Sequence, residues 1–358
     1  MQMEEHKPLA PFTTFGIGGP ARWFTRAQNE DDIVAASEWA RCHAVPLFVL
    51  GGGSNLLVAD TGFDGLVLHI ALTGLESHSE NNKTIFRVAA GEDWDTFVQR
   101  TVEANCSGLE CLAGIPGTVG GTPVQNVGAY GQEVATTIAG VRAFDLVTGS
   151  FVEFTPEECG FAYRHSRFNT VDRGRFIVTR VDYCLTPGGA PSLRYAELQR
   201  FFAAKPSPTL AEVAEQVRKI RQGKGMLLVE GDPDCRSAGS FFKNPIVTAE
   251  WLAEIAMAAG KQPPQFPAGS GPENAGKVKV PAAWLIEQAG FSKGHTHGAA
   301  GISSRHTLAL INQGGATAAD IMALAEEIRT GVEARFGVEL EMEPVRLGFT
   351  EDSAPVAG

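Results

Sequence analysis

The stretch LAGIPGTVGGTPVQNVGAYG, residues 112–131, contains six glycines and two prolines. Neither a helical nor a strand period can run through it. Structureless loops longer than about 12 residues are uncommon unless they are functional or disordered, and the apolar Ile115, Val119, Val124 and Val127 argue against disorder. The stretch therefore predicts a shaped backbone path whose free N–H groups can cradle anionic oxygens, with an ordinary surface loop as the alternative.

A second glycine run, Gly51-Gly52-Gly53-Ser54-Asn55, follows a predicted buried strand at residues 47–50. A Rossmann fingerprint needs a helix directly after the glycines, and a P-loop needs Gly-Lys-Ser/Thr. Here residues 56–58 continue as another β-rich segment without a lysine, so neither motif fits. The run indicates either a strand–turn–strand whose amides hold a pyrophosphate or an ordinary tight turn.

The composition limits the possible functions. The chain has 358 residues, long enough for about two domains, and 44% of them are hydrophobic. Its net charge of −11 gives no electrostatic footprint for nucleic acid or an anionic membrane. The N-terminus lacks a basic segment followed by an apolar run, and no run of ~18 apolar residues occurs. We therefore expect a cytoplasmic protein made without a signal peptide.

Metal binding is not expected. The six cysteines form no CxxC pair and show no zinc-type spacing, so reduced thiols are the default. The close histidine couple His295 and His297 has no acidic or cysteine partner at ligand spacing in the sequence.

Residue patterns predict an α+β chain. Residues 176–185 alternate as a half-buried strand does, and residues 94–105 have a helical pattern. A long helix over residues 317–336 presents an apolar stripe that we expect in the core. The Pro-Gly-Gly-Ala-Pro sequence at residues 187–191 is the predicted domain boundary.

From Thr209 the sequence predicts a helix that opens with a capping box, because Glu212 lies three residues on. The last turn of this helix carries Arg218 and Arg221, and Lys224 lies just beyond its end. Cations complement the dipole at a helix C-terminus, so the group indicates either that structural role or an anion site.

Several polar side chains stand in apolar or glycine-rich contexts, among them Arg164, Ser240 and Glu343. The GxSxG nucleophile elbow is absent, which argues against a serine hydrolase. Taken singly, each residue is more often structural. The residues alone indicate a two-domain enzyme that binds a phosphate-bearing cofactor.

Six motifs together make the chain similar to the UDP-N-acetylenolpyruvoylglucosamine reductase family. They occur in family order, and the resemblance covers about residues 11–348. The motifs are LGGGSNLLV (50–58), GIPGTVGGTPVQNVGAYGQEV (114–134), YRHSRF (163–168), AGSFFKNP (238–245), KVPAAWLIEQAG (279–290) and LEMEPVRLG (340–348).

The resemblance implies an FAD-binding domain of the p-cresol methylhydroxylase/vanillyl-alcohol oxidase type at residues 11–190. A smaller α+β substrate-binding domain would cover residues 200–315, and residues 316–348 would return to the flavin site. FAD would be bound non-covalently, with its pyrophosphate on strand–loop amides. The residues implied to bind it are Gly51, Gly52, Gly53, Ser54, Asn55, Gly114, Ile115, Pro116, Gly117, Gly120, Gly121, Asn126, Gly128, Ala129 and Tyr130.

The same resemblance implies the activity. NADPH would reduce FAD, and the flavin would reduce the enolpyruvyl ether of UDP-N-acetylglucosamine to UDP-N-acetylmuramate, a cytoplasmic step of peptidoglycan synthesis. Negative charge develops on this substrate as an enolate, so a cation and hydrogen-bond donors would lower the barrier. By motif match, Arg164 and Glu343 polarise the substrate and Ser240 protonates C2. The residues matched to substrate contacts are Tyr195, Lys224, Asn244 and Lys279; Tyr195 and Lys224 match the family branch with an extra tyrosine loop.

One departure from the family pattern leaves an alternative open. Pro344 displaces Arg346 by one residue from the arginine that usually follows the glutamate, so Glu341 could be the functional carboxylate. Two other functions also stay open: an FAD oxidase of the same fold that acts on an alcohol or sugar, and a flavin-binding module without turnover. Such oxidases often attach flavin to a histidine, which residues 51–55 and 114–131 lack. We expect a monomer.

Overall fold

The computed structural model of the chain describes residues 1–205, 207–268 and 274–349. The helices are α1 (Glu30–Cys42), α2 (Trp94–Glu103), α3 (Ala196–Phe201), α4 (Leu210–Gly223), α5 (Ala249–Ala259), α6 (Ala282–Gln288) and α7 (Ala318–Phe336). The strands are β1 (Met3–Pro8), β2 (Pro20–Ala27), β3 (Leu47–Leu50), β4 (Leu56–Val58), β5 (Phe63–Ile70), β6 (Leu75–Glu80), β7 (Lys83–Ala89), β8 (Cys106–Ser107), β9 (Gly128–Ala129), β10 (Gln132–Glu133), β11 (Ile138–Asp145), β12 (Ser150–Phe154), β13 (Phe176–Pro187), β14 (Ile246–Thr248), β15 (Phe266–Pro267), β16 (Lys277–Lys279), β17 (Thr296–His297), β18 (Ala300–Ile302), β19 (Leu310–Asn312) and β20 (Val345–Leu347).

Two sheets build the N-terminal half. One has the order β1-β2-β5-β3, in which β2 and β3 run parallel to β5. The other is antiparallel with the order β12-β11-β13-β7-β6, and β8 pairs with the end of β13. The predicted alternation along β13 is confirmed from Thr179 to Leu185, whereas Val178, on the other face, is buried like its neighbours.

Strand β1 was not predicted from the sequence, which placed the start of the ordered domain near residue 11. Its residues, MEEHKP, show no apolar alternation, and most of them are partly or fully exposed. Backbone pairing with β2 holds the strand, in a register that sets Met3 opposite Thr25. Every residue other than proline carries the same backbone donor and acceptor, so pairing of this kind cannot be read from the pattern of side chains.

The C-terminal half packs α5, α6 and α7 around a second core. The apolar stripe predicted for the last helix is confirmed, and all its members are at most 5% exposed. They are Ile321, Leu324, Ile328, Val332 and Phe336. The capping boxes at the starts of α4 and α7 are formed by Thr209 with Glu212 and by Thr317 with Asp320.

The two halves are interlocked. Phe15, Ile17 and Leu57 from the N-terminal half are buried in the C-terminal core. In return, β20 near the end of the described chain pairs in parallel with β4. Asp60, just after β4, accepts hydrogen bonds from the N–H groups of Ala318 and Ala319 at 2.7 and 3.0 Å. The start of α7 is therefore capped by a carboxylate of the other half. In the part of the chain that the structure describes, no helix is both long and apolar enough to cross a membrane.

Replacing Asp60 by alanine removes the acceptor of both amides, so we expect the free energy of unfolding to fall by about 1 kcal/mol, the usual cost of a lost helix cap. The matched control is Asp64→Ala, because the Asp64 side chain is 83% exposed and pairs with Arg22. Urea denaturation at matched FAD saturation measures both changes. Equal losses in the two variants would contradict the capping role.

Candidate active site

The two glycine-rich segments lie against each other and form one backbone surface, here called the glycine cradle (residues 51–55 and 114–121). A Cβ atom added to Gly52 would lie 2.6 Å from the Cα atom of Gly117, and one added to Gly51 would lie 2.8 Å from Oγ1 of Thr118. Gly117 also has a φ of 128°, which favours glycine. The sequence needs glycine at these positions because the two backbones touch.

The cradle also presents backbone donors. Among the described residues, no protein acceptor is recorded for the N–H groups of Gly52, Gly53, Ser54, Ile115 and Gly117. Neighbouring N–H groups in such a path bind anionic oxygens well. The cradle therefore fits the pyrophosphate of FAD, which both glycine runs were predicted to hold.

The other residues predicted to contact FAD differ in their surroundings. Ile115 is partly buried against the N-terminal core. A Cβ added to Gly120 would lie 2.6 Å from Cβ of Ala90, which makes this glycine a packing requirement, whereas one added to Gly121 would meet open space. The N–H of Gly114 donates to Asp95 at 2.6 Å. Pro116 lies between these residues and is half-buried.

Two asparagine side chains join the glycine-rich loops to the neighbouring segments of the site. Asn55 Nδ2 donates to Gln125 Oε1 at 2.9 Å and to the carbonyl of Glu343 at 3.2 Å. Asn126 has a φ of 46°, and its Nδ2 donates to Glu133 and to the carbonyl of Ala162. Their amides tie the glycine loops to the segments that carry the predicted catalytic residues.

Arg164 has a strained backbone. It lies in a tight turn closed by reciprocal hydrogen bonds between the backbones of Ala162 and His165, and its φ is 54°. A non-glycine residue in this region costs on the order of 1 kcal/mol. The side chain of Asn169 supports the turn by donating to the Arg164 carbonyl at 3.1 Å. The fold therefore imposes this conformation and so directs the guanidinium.

The Arg164 guanidinium is held between two segments. Its Nη2 donates to the carbonyl of Gly128 at 3.0 Å. Its Nε lies 2.8 Å from Oε1 of Glu343, yet the direction of the N–H bond does not give a hydrogen bond. The two charges thus attract each other, while a buried Nε–H is left without an aligned acceptor among the described residues. Such a donor suits an anionic group brought by a ligand.

Two backbone hydrogen bonds hold the segment of Glu343, which precedes β20, beside residues 241–243. The N–H of Glu343 donates to the carbonyl of Phe241, and the N–H of Lys243 donates to the carbonyl of Glu341, both at 2.9 Å. Burial raises the pKa of Glu343, although the charges of Arg164 and Lys243 act in the opposite direction. The side chain of Glu343 is 10% exposed, whereas that of Glu341 is 70% exposed and pairs with Lys243. This geometry favours Glu343 over Glu341 as the functional carboxylate.

Ser240 directly precedes Phe241, the residue that pairs with Glu343. Its side chain is partly buried. Within the described residues no hydrogen bond to its hydroxyl is recorded, so the group is not committed to a structural partner. The structure thus brings Arg164 and Glu343 into contact and pairs the backbone of Glu343 with the residue that follows Ser240.

Two predicted substrate contacts gather on Tyr163. The Lys279 Nζ lies 3.9 Å from the centre of the Tyr163 ring. Burial lowers the pKa of Lys279, and the nearby charge of Arg164 acts in the same direction. Asn244 lies against the Tyr163 hydroxyl and caps α6 by accepting from the N–H of Ala282 at 2.9 Å. Tyr163 belongs to the YRHSRF motif, but the sequence assigned it no role of its own.

The other two predicted substrate contacts form a separate cluster at the end of α4. The Lys224 Nζ donates to Glu197 Oε2 at 2.8 Å and lies 3.4 Å from the Tyr195 hydroxyl. It also faces the rings of Tyr130 and Tyr195, at 5.6 and 5.5 Å. The two rings meet edge to face, with centroids 5.1 Å apart. Glu197 was missed, though it follows Tyr195 by two residues.

The arginines of α4 have structural partners. Arg218 pairs with Asp95 at 2.6 Å. Arg221 is 7% exposed and donates to the carbonyls of Gly114 and Met226 at 2.9 and 2.6 Å. Arg221 thereby anchors the glycine cradle to α4, a role that the sequence did not reveal.

Two other predicted features lie outside this site. His295 and His297 both contact Glu327 on α7, at 3.3 and 2.9 Å. The acidic partner comes from a distant segment, which local spacing could not reveal. Arg346 lies in β20, with its guanidinium carbon 6.0 Å from the centre of the Phe349 ring.

The chain is similar to known proteins over almost its whole length. Residues 21–155 match an FAD binding domain, and residues 232–347 match the C-terminal domain of UDP-N-acetylenolpyruvoylglucosamine reductase. A reductase of that name from Streptomyces coelicolor is 47% identical over 95% of this chain and 89% of its own length. One from Thermobifida fusca is 46% identical over 96% and 97%. The crystal structure of the Thermus caldophilus reductase is 28% identical, covers 97% of this chain and 98% of its own, and gives a TM-score of 0.65.

Replacing Gly52 by alanine should weaken FAD binding, because the new methyl group would push apart two backbones in contact. Overpacking costs about 1–3 kcal/mol, so we expect a loss of affinity of roughly 10- to 100-fold. FAD titration of the apoprotein measures this loss. The control is Gly140→Ala in β11, whose added Cβ would have its nearest neighbours at 3.7 and 3.9 Å. Unchanged affinity in Gly52→Ala would contradict the cradle.

Replacing Arg164 by methionine removes a cation that lowers the pKa of Glu343, while the burial that raises it remains. We expect that pKa to rise further above its unfolded value of about 4.3. At a pH between the unfolded-state and folded-state pKa values of Glu343, its carboxyl is ionised in the unfolded state but still protonated in the folded state. The free energy of unfolding therefore falls as the pH rises through this range. The unfolding free energy of Arg164→Met should therefore fall more than that of the wild type above about pH 4.

Urea denaturation between about pH 4 and 8 measures this slope. Adding Glu343→Gln to Arg164→Met should abolish the extra fall, because glutamine does not ionise. An extra fall that survives in the double variant would show that another group causes it.

Proposed function

The chain belongs to the UDP-N-acetylenolpyruvoylglucosamine reductase family, and we propose how its residues divide the work of that reaction. The enzyme uses NADPH to reduce the enolpyruvyl group of UDP-N-acetylglucosamine enolpyruvate to UDP-N-acetylmuramate, in peptidoglycan synthesis. Bound FAD supplies the hydride chemistry that links the two substrates. Family membership decides against a sugar oxidase and against a flavin-binding module without turnover.

The observation that carries the catalytic assignment is the largely shielded Arg164–Glu343 pair, in which the backbone of Glu343 pairs with Phe241, the residue after Ser240. Negative charge develops on C2 and the carboxylate of the substrate as the double bond is reduced. A guanidinium held by Gly128 and Glu343, with one buried N–H still unaligned, stabilises such charge without having to reorganise. Glu343 sets the orientation of the guanidinium.

Ser240 delivers the proton to C2. A hydroxyl is a weak acid in water, so position must compensate, and the acceptor must be a strongly basic enolate carbon. Ser240 meets the first condition because backbone pairing fixes its neighbour Phe241 against Glu343. No protein group among the described residues is recorded as competing for its hydroxyl.

Lys224 and Tyr195 bind the UDP diphosphate, and Asn244 and Lys279 contact the substrate near Arg164. A half-buried lysine between two tyrosine rings is a compact cationic site for phosphate. We divide the chain into an FAD-binding domain (11–190), a substrate domain (200–315) and a segment that returns to the flavin site (316–348). We place the enzyme in the cytoplasm, where its nucleotide substrates are made, and expect it to act as a monomer.

Replacing Ser240 by alanine should leave reduction of the flavin by NADPH intact. Its reoxidation by UDP-N-acetylglucosamine enolpyruvate should slow by roughly 10²- to 10⁴-fold, the usual contribution of a positioned acid. Anaerobic stopped-flow spectroscopy separates the two half-reactions. Ser292→Ala is the control, because Ser292 is exposed on the loop after α6. Wild-type reoxidation in Ser240→Ala would overturn the assignment.

A further inference from the structure

Glu197 forms an ion pair with Lys224, the cation proposed to bind the diphosphate of the substrate. A lysine ammonium has three N–H donors and no acceptor. In this structure its shortest contact is with Glu197, at 2.8 Å, whereas the Tyr195 hydroxyl is 3.4 Å away. The Glu197 carboxylate is therefore the closer of the two hydrogen-bond partners of Lys224.

The position of Glu197 is fixed by the packing of α3. Leu198 and Phe202 are 0% and 6% exposed and pack with Val213 and Val217 of α4. Glu197 lies on this anchored helix, and Lys224 lies at the end of the helix it packs against. The ion pair thus forms between two fixed backbones, and its side chains can rotate apart without moving either helix.

The surroundings of the pair are otherwise rich in basic side chains. Burial acts to raise the pKa of Glu197, but the hydrogen bond and charge of Lys224 outweigh it and lower the pKa, and Arg200, one turn further along α3, adds to that lowering. The charges of Lys224, Lys293 and Glu197 all act on His306, so these groups face one region. Glu197 is the acidic member of that set.

We propose that Glu197 is an internal competitor of the substrate diphosphate for Lys224 and so limits the affinity of the enzyme for its nucleotide substrate. This inference rests on the proposed role of Lys224. A diphosphate and a carboxylate repel each other, so binding must break or weaken the pair. The side chains of Glu197 and Lys224 are 37% and 26% exposed, and ion pairs this open to water are weak enough to be displaced.

The test compares Glu197→Gln with the wild type by isothermal titration of the oxidised holoenzyme with UDP. Glutamine keeps the shape of the side chain and removes its charge. We expect UDP to bind roughly two- to fivefold more tightly, the range that a partly exposed ion pair can supply. Glu197→Ala is a second variant and should shift affinity in the same direction. The control is Glu215→Gln, which changes the net charge equally but lies at an exposed pair with Lys219.

The same titration in a Lys224→Ala background tests the mechanism. The Lys224→Ala variant lacks the ammonium for which Glu197 and the diphosphate compete. The gain in UDP affinity from Glu197→Gln should therefore vanish in it. Unchanged or weaker binding in both Glu197 variants would overturn the proposal, as would a gain that persists without Lys224 or appears equally in Glu215→Gln. If Lys224→Ala alone leaves UDP binding unchanged, the proposed diphosphate site itself is wrong. The assignment of Ser240 is tested separately by the half-reactions.

Discussion

The contact between the backbones of Gly52 and Gly117 is the constraint on which the rest of the site depends. A side chain at Gly52 would separate the turn after β3 from the long glycine loop, and one at Gly117 would meet the Ser54 hydroxyl from a backbone conformation that favours glycine. The turn leads directly into β4, and β4 is the strand that β20 joins, with the N–H of Val345 donating to the carbonyl of Asn55 at 2.9 Å. The pairing of β20 with β4 and the pairing of Glu343 with Phe241 together hold Glu343 next to the cradle. A local requirement for glycine thus positions a carboxylate almost 300 residues further along the chain.

Two neighbouring carboxylates show how burial separates a functional charge from a solvated one. Glu341 and Glu343 belong to the same short segment, and each lies next to a cation. The Glu341–Lys243 pair is open to water, where an ion pair contributes only about 0–1 kcal/mol. The pair of Glu343 with Arg164 is largely shielded, so burial changes the pKa of the carboxyl and strengthens every interaction with a bound anion. The two carboxylates are chemically identical, so only their surroundings distinguish them.

The local features were predictable from the sequence, and the long-range ones mostly were not. Capping at Thr209 and Thr317, the core stripe of α7 and the alternation in β13 all follow from patterns within a few residues. Both glycine runs were also recognisable, because no regular element accommodates them. Strand β1 was missed because its residues show no apolar alternation and backbone pairing with β2 sets its position. Arg221 and Glu197 were missed because their partners, Gly114 and Lys224, lie on other elements. Motif resemblance, not pattern, brought Arg164, Ser240 and Glu343 together as candidates.

The cations at the end of α4 show why a helix terminus can serve structure and binding at once. Arg218 and Arg221 lie three residues apart on the face that packs against the N-terminal half, where a carboxylate and a carbonyl respectively hold them. Lys224 continues the same spacing one turn later but lies beyond the helix, so its side chain extends past the packed surface. Glu197 then has two opposing effects: it competes for the ammonium, and it also keeps a flexible lysine extended in the place where a diphosphate would meet it. Ordering such a side chain costs up to about 2 kcal/mol, which is at least as large as the ~0–1 kcal/mol that a partly exposed ion pair contributes. The pair can therefore reduce affinity only modestly, because the order that it imposes offsets part of the competition.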